Sequence, residues 1–128
     1  MADPLAHLEG VIRNPNNANH MMAIKPIQQP VKVYAGDTLL ADSAKAVRVM
    51  EIGRAIYDPV IYIPAEDVKA PLTKTERTTH CPLKGDASYY LLGEEELAWS
   101  YDAPLAFAQE LAGYHAFWPS KVRVVEGT

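Results

Sequence analysis

The chain has 128 residues, 48% of them hydrophobic and 22% charged, enough for one globular domain with its own core and too few for two. Twelve Lys and Arg against sixteen Asp and Glu give a formal charge of -4 with no basic stripe, which argues against nucleic acid as a partner. A single cysteine, Cys81, and four scattered histidines exclude an internal disulfide and a zinc finger, so no metal or cofactor is expected.

The first ten residues carry two acids and no basic residue, unlike a secretory leader, and Asp3-Pro4 predicts a helix start. No aliphatic run is long enough to cross a bilayer, VIYI at 60–63 included, so no membrane partner is expected and the expected setting is cytoplasmic. Asn14 to Asn19 reads as a turn, and HMMAIKPI after it as a short extended segment. VKVYAGDTLLADS predicts a hairpin around Ala35-Gly36-Asp37. AKAVRVMEIG continues as a strand in which Val47, Val49 and Glu51 share one face and Arg48 and Met50 the other. DPVIYIPAEDV, apolar on both faces and fenced by Pro59 and Pro64, predicts a buried strand, and PLTKTERT a polar loop.

THCPLKGDASYYLLG and ELAWSYD predict two adjacent antiparallel strands joined by the acidic Gly93 to Glu96 connection. Asp102 reads as an N-cap with Pro104 in the first turn of a three-turn helix that carries Leu105, Ala108, Leu111 and Ala112 on one face and stops at Gly113. YHAFWP and KVRVVEG close the chain as short strands. Seven or eight strands with one helix predict a mostly β, curved antiparallel fold covered by a helix near residues 103–112.

Chemistry concentrates in Thr79-His80-Cys81-Pro82-Leu83-Lys84-Gly85. Cys81 is a candidate nucleophile, or a small buried hydrophobe; extended geometry sends His80 to the opposite face, so His80 is poorly placed as its base. Lys84 beside Gly85 offers an ammonium to an anionic group, or is a solvated turn lysine. Glu51, following two valines inward, is a candidate acid or base, or a salt-bridged rim carboxylate. Trp99 and Tyr101 share a strand face, and Tyr114, Phe117 and Trp118 follow the helix; Tyr62 and Tyr89 can join them as core or as pocket wall.

The segments ADS at 41–43, VIYIPAEDV at 60–68, TTHCPLKGDASYY at 78–90, AWSYDAP at 98–104 and AGYHAFWPSKV at 112–122 resemble, in order, the signature blocks of the family known as domain of unknown function 427. The resemblance implies a single domain over residues 14–128 behind an N-terminal arm at 1–13. It also implies a fold of the β-tent, Mss4-like group, which includes methionine sulfoxide reductase B and the thalidomide-binding domain of cereblon. Relatives in that group carry zinc on paired C-x-x-C motifs, which one cysteine cannot supply. The family also carries a nucleotidyltransferase-like label, with no paired-aspartate metal site here to support it. The matching positions Glu51, Tyr62, His80, Cys81, Lys84, Tyr89, Trp99, Tyr101 and Tyr114 are the implied pocket lining.

Two functions follow as expectations. The first is a binding domain for an unidentified small molecule, with Trp99, Tyr101 and Tyr114 as walls and Lys84, His80 and Glu51 as orienting groups. The second is a hydrolase or transferase acting on a small anionic substrate, with Lys84 holding the anion, Glu51 or His80 moving a proton, and Cys81 as a less favoured nucleophile. Homodimer formation through residues 1–30 is a third, structural reading.

Overall fold

The computed structural model describes residues 8–127, so the helix start at Asp3-Pro4 lies outside the described residues. Within them, eleven strands form two antiparallel sheets. The strands are β1 (Ile12–Asn14), β2 (Asn17–Pro26), β3 (Val31–Ala35), β4 (Thr38–Ser43), β5 (Val47–Ile52), β6 (Val60–Pro64), β7 (Thr73–Cys81), β8 (Gly85–Leu92), β9 (Glu95–Ser100), β10 (Tyr114–Phe117) and β11 (Arg123–Glu126). The larger sheet runs β1-β2-β5-β6-β10-β9-β8-β7 and the smaller β11-β3-β4, and neither closes on itself. Among the described residues no helix is long and apolar enough to cross a membrane.

Alternation along the central strands separates two cores. Tyr62 and Ile63 in β6, Trp99 and Ala98 in β9, and Ala116 and Phe117 in β10 belong to opposite faces of the large sheet. One face packs Ile63, Leu97, Ala98 and Phe117 against Val31, Val33 and Leu40 of the small sheet. Each of the Val, Leu, Ile and Phe side chains among these is buried and contributes about 1.5–3 kcal/mol through removal from water. The other face carries Val49, Tyr62, Tyr89, Trp99 and Tyr101 and is covered by Ala108 and Leu111.

The mostly β architecture, the β3–β4 hairpin and the two closing strands agree with the sequence reading, and four elements differ. PLTKTERT is not a loop: β7 starts at Thr73, its threonines suiting an exposed edge strand. THCPLKG is not the start of one strand but the corner between β7 and β8. There the Lys84 N–H donates to the Cys81 carbonyl at 3.2 Å, with Pro82 at the second turn position that its fixed φ favours. The covering helix is a short 3-10 helix, Ala106–Leu111, with a kink at Ala108. Asp102 does not cap it, because its carboxylate is taken by Lys74 (2.6 Å) and Ser100 (2.7 Å). Leu105 instead stays extended and donates its N–H to the Lys84 carbonyl at 2.9 Å. The 14–19 turn is also tighter than expected, since Asn14 at the end of β1 pairs with Asn17 at the start of β2 and leaves Pro15 and Asn16 between them.

Candidate functional site

The face opposite the small sheet opens into a hollow of about 350 Å³. Its walls are aromatic: Tyr62 from β6, Tyr89 from β8, Trp99 from β9, and Tyr101 and Trp118 just beyond β9 and β10. Both tryptophans of the chain are therefore in this wall. Tyr62 and Trp99 meet edge to face at 6.3 Å, and the Trp99 indole N–H donates to the Tyr62 hydroxyl at 3.3 Å. Trp118 leans on Trp99 with centroids 4.5 Å apart and lies nearly parallel to Tyr89 at 6.4 Å. These contacts hold the rings as a rigid surface.

Lys84 is the buried polar group of this hollow. Leu83, fully buried, pins the β7–β8 corner into the core, and the backbone bonds to Cys81 and Leu105 fix the Lys84 main chain on both sides. The adjacent Gly85, at φ 118°, passes so close to Pro104 and Leu105 that a Cβ would lie 3.2 Å from the Leu105 nitrogen. This close approach leaves the lysine stem to run inward, where its side chain is only 9% exposed. Its ammonium donates to Glu51 Oε1 and lies 5.7 Å from the Tyr101 ring centroid.

Glu51 reaches the same place because β5 alternates: Val47 and Val49 enter the core on its face. Its second oxygen accepts the His20 Nε2–H at 2.8 Å. The hydrogen-bond network assigns that tautomer. Asn16 N–H donates to Asn14 Oδ1 at 2.9 Å, which turns the Asn14 amide nitrogen toward His20 Nδ1 at 3.2 Å and makes Nδ1 the acceptor. Burial pushes the Glu51 carboxyl up, but the Lys84 charge and the hydrogen bonds from Lys84 and His20 outweigh it, leaving the group below its ordinary range. Burial works against the Lys84 charge as well, and Tyr101 and Glu51 reverse it, so the ammonium ends above its usual value. Burial also drives the Tyr62 and Tyr101 phenols far up. At neutral pH the hollow thus holds a fixed ion pair among neutral phenols.

Six of the residues expected from sequence meet here: Glu51, Lys84, Tyr62, Tyr89, Trp99 and Tyr101. His80 does not; it is exposed and paired with Asp86 at 2.8 Å. Cys81 is half-buried beneath the aromatic cluster and lines a neighbouring polar hollow of about 410 Å³ with His20 and His80, in which Glu51 is a shared wall. Tyr114 packs against the aromatic core without lining the hollow. The sequence reading missed His20, Tyr57 and Asp58. Only the β2–β5 register, Met22 opposite Glu51, carries His20 toward the carboxylate, and no local pattern announces that pairing. Among the described residues no group of three or more His, Cys, Asp and Glu is arranged to hold a metal ion.

Fold and site together define a mostly β domain with a preformed, aromatic-walled hollow floored by a lysine–glutamate pair. The family described as Domain of unknown function (DUF427), labelled NTP_transf_9, matches residues 23–127, and the chain belongs to it. Comparison with curated proteins gives no match. Asn14 and His20 lie before the matched span, so this arm of the Glu51 network comes from the N-terminal hairpin.

Proposed function

We propose that the domain binds a small molecule in the aromatic hollow, its flat apolar body against Trp99, Trp118 and Tyr89 and a hydrogen-bond acceptor on Lys84. The observation that carries this reading is the state of Lys84. An ammonium has three donors, and among the described residues this one has a single hydrogen-bond partner, Glu51. Buried donors without partners are costly, and an acceptor brought by a ligand would relieve that cost. A volume near 350 Å³ suits a ligand of one or two rings. The β-tent, Mss4-like placement and a cytoplasmic setting, where the Cys81 thiol stays reduced, belong to the same proposal.

Binding is favoured over the hydrolase or transferase alternative because Glu51 and Lys84 stabilise each other's charged forms. A carboxyl held low and an ammonium held high are poor proton exchangers at neutral pH. The test is a titration of intrinsic tryptophan fluorescence, which reads this hollow alone because both indoles line it. The panel comprises aromatic amides and acids, nucleotides, sugar phosphates and quaternary amines, with melting temperature as second readout. Binding lost in both Trp99→Ala and Lys84→Met, without turnover by wild type, supports the proposal; a panel that changes neither fluorescence nor melting temperature overturns it. Turnover of a nucleotide would favour the alternative that the family's label suggests.

A further inference from the structure

Three charged side chains line the aromatic hollow: Glu51, Asp58 and Lys84. Two carboxylates against one ammonium leave the lining formally at -1. The depth of these charges matters as much as their number. Lys84 and Glu51 lie deep, with side chains 9% and 18% exposed, and neutralise each other, while Asp58 stands exposed at the mouth with no ion-pair or hydrogen-bond partner among the described residues. Behind Glu51, His20 spends its Nε2–H on the second carboxylate oxygen and meets Asn14 on its other ring nitrogen, so it has no ring hydrogen aimed into the hollow.

An acceptor placed on a second Lys84 hydrogen must therefore stand beside the Glu51 oxygen that takes the first. A ligand carboxylate or phosphate there would meet Glu51 at short range, pass Asp58 on entry, and lose its own hydration against Trp99 and Tyr62, which offer no charge in return. A carbonyl oxygen, with no net charge, meets these penalties far more weakly and can still accept from Lys84. Resting on the binding role proposed above, we propose that the hollow selects an uncharged planar ligand whose carbonyl or ring acceptor engages Lys84, and discriminates against anions. This opposes an anionic substrate and the polyphosphate that the family's label would suggest.

The experiment titrates tryptophan fluorescence of the full chain at pH 7.5 and low salt with two isosteric pairs, nicotinamide against nicotinate and benzamide against benzoate. The amides are expected to bind at least tenfold more tightly than the acids. Asp58→Asn, at an exposed position where the fold tolerates change, is expected to narrow that ratio two- to threefold by strengthening acid binding. Glu51→Gln, if folded by circular dichroism, is expected to reverse it. Acids binding as well as or better than amides in wild type would overturn the inference while leaving the hollow a binding site. Silence from all four probes also counts against it, and silence across the wider panel removes the binding role itself.

Discussion

Replacing Lys84 by methionine keeps the stem of the side chain and removes its charge from beneath the aromatic wall. Glu51 then retains His20 on Oε2 but loses the partner of Oε1. Breaking one side of a buried ion pair costs about 3–5 kcal/mol. Because Glu51 keeps one hydrogen bond and is 18% exposed, the lower end applies, about 3 kcal/mol. For a chain of this size that is a fall of roughly 12 °C in melting temperature. The loss should depend on pH with a definite sign. In wild type the folded-state Glu51 value is depressed below 4.5, so its contribution is present above that pH and fades as pH falls through the folded value. In the variant the Lys84 charge is gone and burial dominates, raising the folded value. The deficit is therefore fully present at pH 7 and shrinks toward pH 4. Urea unfolding at both pH values measures it, with the exposed pair partner Lys45→Met as control. Adding Glu51→Leu to Lys84→Met should restore most of the loss, since it removes the stranded carboxylate. A deficit at pH 7 no larger than that of Lys45→Met, or a double variant no better than the single, would refute the reasoning.

Gly85→Ala should cost about 2–3 kcal/mol, because it combines a positive φ with a Cβ 3.3 Å from the Pro104 Cα; urea unfolding reads the loss and a fluorescence titration the weakened ligand site. His115 is half-buried against Tyr90 with its Nδ1 lacking a hydrogen-bond partner among the described residues, and burial holds its value below 6.5. Because the unfolded chain then binds the proton more readily, wild-type stability should decline as pH falls through 6.5, and His115→Phe should flatten that slope between pH 7 and 5. His20→Ala should move the Glu51 titration upward in carboxyl NMR, since one of the hydrogen bonds favouring the carboxylate is lost.

Much of the site was legible from local pattern. Period-two alternation put Glu51 on the valine face, and the same rule set Trp99 beside Tyr101 and His80 away from Cys81. The Lys84 corner was not legible, because Thr79 to Gly85 also fits a continuous strand and only the i to i+3 bond from Lys84 to Cys81 closes the turn. What sequence did not carry was register between distant strands. His20 meets Glu51 across 31 positions, and its role exists only because β2 lies against β5. The helix after Asp102 failed for a similar reason. A good N-cap residue is equally good at accepting from Lys74 and Ser100, and those tertiary partners won.

The most direct measurement follows the two indole N–H signals in ¹⁵N–¹H NMR spectra while nicotinamide is added. The Trp99 signal reports the aromatic wall through its bond to Tyr62, and Trp118, which leans on Trp99, reports the part of that wall beside Tyr89. Both should move saturably, together with the Lys84 backbone amide and with one shared dissociation constant. Stationary indoles, with shifts confined to the separate hollow beside Val33, Ile61 and Val122 or absent altogether, would contradict a ligand site at the lysine–glutamate pair.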